Sequence, residues 1–497
     1  ILEPKSKKKL WIILGILGIV IIIAIALLVI AKKGSNQNQN QNQSAKANLP
    51  AVEKNSTLTK TSQTSDQNQN QSQSQNQNQN LVTKKLNTFC PGCKIQTSIV
   101  SPDGKHFAYA VKEKNGKYVL FLDGKEGKKY DWVDSLAFTP NGQHFAYEAE
   151  EDNKSFIVLD GKEGEKYDDV YWSEISCFTF TFSPNSQHLA YIAKEGNKKF
   201  VVLDGKEGKE YDGVVGKPTF SSDSQHLAYK AYEGNKDFVV LDGKEGKRYD
   251  GVVGKPTFSS DSQHFAYAAK EGNKGFIVLD GKEGKKYDGV YYPTFSSDSQ
   301  HLAYAAKEGN KRFIVLDGKE GKKYDGVDEF SFIFSPNSQH FAYIAEESNK
   351  EIIVLDGKEG KKYDGVDELT LTFSPDSQHF AYKAREGNKE FIVLDGKEGK
   401  KYDWVDKLSL TFSSNSQHFA YVVYEGNKYF MVLDGKEGEK YYNIYSLTFS
   451  PDSQHFAYIA RKDNKEFVVL DGKEGKEHDN IYPFTFSPNS QHFAYEA

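Results

Sequence analysis

The sequence predicts an all-β fold made by repeating one small antiparallel sheet about ten times. Three observations predict it. A pattern seen as FSPDSQHFAY at 373–382 returns along the chain at a nearly constant step. The stretches beside it alternate apolar and polar residues, the period of two that a strand imposes. Turn-forming pairs separate those stretches, and no segment holds a 3.6-residue period long enough for a helix.

The histidine of each copy marks the period. Eleven copies run from His106 to His492, in steps of 37–39 residues apart from one of 44 between His144 and His188. That longer step holds an insertion, DDVYWSEISCFTF, at 168–180. A fixed period of roughly 20–50 residues marks a repeat architecture and overrides a domain count from length. The eleven histidines are expected to lie at similar depth, each at the same place in its unit.

One unit, residues 369–405, resolves into four strands. LTLTF is β-prone, and SPDS supplies the Pro and Asp of a tight turn. HFAYKA alternates again, and the Gly-Asn of REGNK signals a hairpin. EFIVL is a β-branched run, DGKEG a glycine-rich reversal, and KKYDWV a more polar fourth strand. Phe380 and Tyr382 oppose Ala381, while Phe391 and Val393 oppose Ile392 and Leu394, so both faces carry apolar groups. A lone meander is unstable in water, and two apolar faces require a neighbour on each side. Radial stacking of such sheets gives a β-propeller of about ten four-stranded blades of ~38 residues over 96–497. Lysines suit the fourth strand to an outer edge.

The pattern FSPDS-x-HFAY, then a hairpin and FIVLDG, resembles the WD-repeat-like propeller repeats of TolB-type proteins, over 96–497. The resemblance implies a protein-binding or scaffolding platform, in some members fused to a hydrolase domain. Two features depart from it. Ser377 stands where the family usually has Gly, although Gly104 and Gly142 keep it, and ten units and a half exceed the usual blade number.

The front of the chain is different. Residues 10–31, LWIILGILGIVIIIAIALLVIA, are uncharged and long enough to span a bilayer. Lysines dominate the preceding flank, 1–9, which puts the N-terminus in the cytoplasm and the remainder outside. Residues 32–80 read as a Gln/Asn-rich disordered linker, too poor in apolar groups to offset ordering entropy. Residues 81–95 lead into the array and carry Cys90 and Cys93. A structural pair, a local disulfide, and metal or redox chemistry are all open there; no second Cys pair at zinc spacing exists. The last copy stops at HFAYEA, read as a chain cut short or as a closure that borrows strands.

Net charge is −5, which gives no reason to expect nucleic acid as partner. No P-loop, HExxH or G-x-S-x-G occurs, and no cofactor or metal motif is found. DSQH at 376–379 groups Asp, Ser and His, but one turn cannot converge a triad, so it reads as a turn. LDGKEG lacks the alternating ligands of a calcium loop and reads as a hairpin turn.

Variation concentrates between each KYD and the next FS. These segments are expected to be loops on one face, the usual carriers of binding. Their aromatics are the candidate contacts: Trp172 first, then Trp132 and Trp404, with Tyr171, Tyr291, Tyr292, Tyr442, Tyr445 and Tyr482. The functional expectation is a single-pass, membrane-anchored, extracytoplasmic scaffold, not an enzyme, for an extracellular protein or cell-surface polymer. Its rivals are the accessory propeller of a surface hydrolase and a purely structural spacer.

Overall fold

The computed structural model describes residues 94–170, 180–481, 484–486, 490 and 493–494. They form ten antiparallel sheets in the strand order 1-2-3-4, followed by a two-stranded piece, Thr485–Phe486 and Phe493–Ala494. In the third, seventh, eighth and ninth sheets the first strand is in two pieces. The blade expected from the repeat is therefore present in every full copy. The described residues group into two compact units. One runs to Gly234 and takes in Val240–Glu245; the other comprises Asn235–Val239 and everything from Gly246. No helix among the described residues is long and apolar enough to cross a membrane. The expected anchor at 10–31, the linker, and Cys90 and Cys93 lie outside the described residues.

The eighth sheet shows why the sequence folds this way. Its second strand, Phe380–Glu386, and third, Lys389–Leu394, pair in register from Ala381–Leu394 to Glu386–Lys389. Phe380, Tyr382, Ala384, Phe391 and Val393 pack against Ala342, Ile344 and Ile353 of the seventh sheet. Ala381 and Ile392 turn the other way, onto Tyr402, Val405, Phe419 and Tyr421. Each sheet thus buries both faces, one lined with large rings and one with small residues. Every buried Phe, Ile or Val contributes roughly 1.5–3 kcal/mol relative to exposure. Asp395 at φ 50° and Gly396 at φ 75° close the third turn as the Asp-Gly signal predicts.

The fourth strand differs from the expectation. It is only Lys397–Glu398, and the chain then bulges at Gly399, whose N–H donates to the Ile392 carbonyl at 2.8 Å. It touches the sheet again at Tyr402, bridged to Glu390. Trp404 and Val405 do not belong to this sheet; they pair with Tyr424 and Val423 as the start of the ninth.

Two junctions recur between consecutive sheets. In the first, the serine of the FSPDS turn stands at positive φ, as Ser377 does at 64°. An L-residue there costs on the order of 1 kcal/mol. Its hydroxyl accepts the Asn337 N–H of the preceding sheet at 3.0 Å, which repays a similar amount. Seven further copies of this bond, from Asn141–Ser186 to Asp452–Ser490, span 2.9–3.1 Å. This explains the departure from glycine. In the second copy a Cβ on Gly142 would stand 2.9 Å from Asp103 Oδ1, so a serine there requires the Asp103 carboxylate to shift.

In the second junction, the tyrosine of KYD donates its hydroxyl to the DGKEG glutamate of the next sheet. Tyr324 reaches Glu359 at 2.8 Å, and Tyr130, Tyr167, Tyr249, Tyr287 and Tyr402 do the same at 3.0–3.3 Å. Lys322 binds the same Glu359 oxygen at 2.6 Å while lying 5.0 Å from the Tyr324 ring centre. The Tyr324 ring is 1% exposed.

These junctions set a pH dependence. Lys322 foremost, then Tyr324, holds the Glu359 carboxyl below its ordinary range. Lysine bonds do the same for Glu163, Glu283, Glu320 and Glu437. A depressed folded value means the contribution is complete above the unfolded carboxylate range and lost as pH falls through the folded one. The melting temperature should stay level from neutral pH to about 5 and drop below about 4.3, the free glutamate value. Circular dichroism melts at stepped pH test this; a Tm unchanged down to about pH 3 would contradict it.

Candidate functional site

The segments expected as loops take two forms among the described residues. In the second, fourth, fifth, sixth and tenth sheets they are a continuous first strand with a bulge, and in the seventh, eighth and ninth a short turn divides that strand in two. Val215 and Thr219 flank such a bulge in Gly213–Phe220, and Tyr291 and Thr294 flank one in Gly289–Phe295. In such sheets the side chains that vary are set by strand register.

The nine predicted aromatics divide three ways. Tyr171, Trp172 and Tyr482 lie outside the described residues. Tyr291, Tyr292 and Tyr445 are half-buried and pack onto the core. Burial, followed by a hydrogen bond with Glu466, raises the Tyr445 phenol above its ordinary range. Trp132, Trp404 and Tyr442 are exposed at 42, 38 and 52%.

In the second unit the exposed pair heads a cluster. Trp404 opens the first strand of the ninth sheet opposite Tyr424, where the preceding sheets carry Gly326 and Gly365. Its ring stands edge-on to Tyr429, 6.2 Å between centres, and Tyr429 lies 4.8 Å from Tyr424. Tyr441 bridges Tyr429, so the next residue, Tyr442, falls beside it, with Lys428 Nζ 3.4 Å from the Tyr442 ring centre. Two half-buried tyrosines thus back the exposed indole, and an ammonium covers the exposed Tyr442 ring. In the first unit, Trp132 packs 5.1 Å from Tyr118. Such rings offer apolar faces at low entropic cost, the makings of a contact surface.

The histidines are as uniform as the repeat implies. In the ten described copies Nδ1 lies 2.7–2.8 Å from the carboxylate of the LDG aspartate, with ring exposures of 37–48%. His492 is outside the described residues. Asp395 also accepts the Phe380 N–H at 2.9 Å, so this aspartate caps the strand as well as making the turn. Each of the ten described histidines of the repeat thus has its own carboxylate partner. Ser377 and His379 of DSQH turn to different partners, as a turn and not a triad requires.

Sequence reasoning missed Lys383. It is 8% exposed in the middle of a core strand, at a position where Ile344 and Val422 stand in the flanking sheets. Its Nζ meets Asp367 at 3.1 Å and Glu390 at 3.3 Å, and Glu390 also accepts the Val405 N–H at 2.9 Å. The signal available was a charge in a column that is apolar in most copies, Glu148 and Lys230 being its other charged members. Among the described residues no group of three His, Cys, Asp or Glu is placed to hold a metal ion. Replacing Lys383 with Ala should cost about 3–5 kcal/mol locally, since two shielded carboxylates lose their cation. Hydrogen exchange should then quicken over residues 380–405 and stay unchanged in sheets farther along the stack. Uniform protection in the variant would refute the role.

No protein-family model matches the sequence, and no curated protein matches it either. Solved structures similar to this chain include three of note. A eukaryotic initiation factor shares 13% identity, covering 68% of this chain and 97% of its own, at a TM-score of 0.36. TolB from Acinetobacter baumannii shares 15%, covering 54% of this chain and 81% of its own, at 0.23. The β-propeller domain of the Trilobed protease from Pyrococcus furiosus shares 14%, covering 54% and 97%, at 0.26. Likenesses this low carry no argument about function. The repeated four-stranded antiparallel sheets are themselves the blade unit of a β-propeller.

Proposed function

We propose that the chain is a membrane-anchored, extracytoplasmic scaffold that binds an extracellular protein or cell-surface polymer through its exposed aromatic residues and catalyses no reaction. The observation that carries this reading is the pair of exposed rings, Trp404 edge-on to half-buried Tyr429 and Tyr442 under the Lys428 ammonium, where the first strands of the ninth and tenth sheets begin. A pure spacer needs no such cluster, because glycine at the Trp404 position satisfies the fold in the neighbouring sheets. The anchor rests on the apolar run at 10–31 and its lysine-rich flank.

Removing the two exposed rings in W404A/Y442S should leave the melting temperature nearly unchanged, because neither ring fills a core position. Capture of surface proteins or wall glycans, measured by surface plasmon resonance, should weaken by about tenfold or more. Unaltered capture would reject the cluster, and a Tm several degrees lower would make it structural.

Orientation is tested separately. With protease added outside intact cells, the repeat array should be digested and an N-terminal tag should survive. A protected array would reject the extracytoplasmic placement.

A further inference from the structure

Three consecutive sheets of the second unit hold an apolar side chain out to solvent at the same point of the first-strand bulge. These are Phe330, Leu369 and Leu408, exposed at 66, 47 and 47%. Each follows an aspartate by two residues and donates its N–H to that carboxylate: Asp328 at 2.8 Å, Asp367 at 3.2 Å and Asp406 at 3.0 Å. The next residue, Ser331, Thr370 or Ser409, is buried and donates its hydroxyl to the same aspartate's carbonyl. That hydroxyl also accepts an N–H from the second strand, at 2.8–3.1 Å. The turn is therefore fixed on both sides, and the apolar group cannot fold back under it. Tyr292 of the sixth sheet extends the row, its ring 4.6 Å from Phe330.

The row is rimmed by acid. Asp328, Glu329, Asp367, Glu368 and Asp406 border it, against Lys407 alone on the same turns. Lys383 occupies Asp367. Glu329 is different: its Oε2 is shut from solvent with no hydrogen-bond partner. Its charge adds to burial in raising the Tyr292 phenol, which puts it beside the Tyr292–Phe330 pair. A shielded carboxylate oxygen without a donor is costly and is relieved by a cation.

We propose that the Phe330–Leu369–Leu408 row is a docking surface for a basic amphipathic segment of a partner protein. Apolar side chains of that segment cover the three exposed groups, and its lysines or arginines reach Glu329 and Glu368. A second copy of this chain is a poor occupant, because a symmetric contact sets the acidic rims against each other. An anionic membrane surface is repelled for the same reason.

The test uses the full chain and a fluorescein-labelled peptide of alternating Leu and Lys, followed by anisotropy, with a Leu/Glu peptide as its counterpart. The Leu/Lys peptide should bind saturably and the Leu/Glu peptide should not. F330S/L369S/L408S should weaken binding by about tenfold or more. E329Q/E368Q, which leaves the apolar groups in place, should weaken it severalfold and lessen its salt dependence, and serves alone if the triple variant folds poorly. W404A/Y442S should bind like the parent, which separates this surface from the aromatic cluster. The proposal is overturned if the Leu/Lys peptide does not bind, if both peptides bind alike, or if neither set of substitutions matters. A dimer in sedimentation that the triple variant abolishes would overturn it in favour of self-association.

Discussion

Everything in this protein depends on one constraint: a four-stranded sheet with two apolar faces cannot exist alone. Ala381 and Phe380 sit on opposite sides of one strand, and each is buried only because a neighbouring sheet arrives. Stability is then a sum of junctions more than a single core. The junction is closed by polar groups as much as by apolar ones. The Tyr324 hydroxyl on Glu359 and the Ser377 hydroxyl on Asn337 fix the distance and register at which the rings interdigitate. Dispersion and burial supply the magnitude, and the hydrogen bonds supply the alignment.

The repeat made the fold legible. Period, turn residues and two-faced alternation together demand stacked meanders, and the strands at Phe380–Glu386 and Lys389–Leu394 lie where the alternation puts them. Junction chemistry was hidden because its residues look like surface. KKYD reads as a solvated strand, yet Tyr402 within it is 1% exposed. Ser377 reads as a turn former, yet its hydroxyl reaches another sheet. Periodicity reports which face of its own strand a side chain occupies. It carries no information about a partner some 40 residues away in the next sheet.

Candidate contacts were legible in part, for a related reason. Reading the stretches between KYD and FS as loops ranked their aromatics without regard to which side of a strand each occupies. Strand register separates them: Trp404 opposite Tyr424 is left outside, whereas Tyr445 opposite Ile459 is carried inward. Phe330, Leu369 and Leu408 escaped notice because an apolar residue in a β-protein is read as core. Only the bonds from Asp328, Asp367 and Asp406 reveal a turn that points them outward.

A repeat protein offers an internal control that a single-copy fold lacks. Each position is seen about ten times, so the residue the scaffold needs is the one most copies share, and the scaffold explains it. What the scaffold does not explain is a residue that differs where the backbone is the same. Gly365 and Trp404 begin equivalent strands, so the indole is not there to make the strand. Ile344 and Lys383 fill equivalent core positions, so the charge is not there to fill space. Both kinds of departure recur in the second sheet, where Trp132 opens the first strand and Glu148 stands in the Lys383 column. Departures that recur in separate sheets, each held by its own ion pairs or ring contacts, are the residues that the fold alone does not account for.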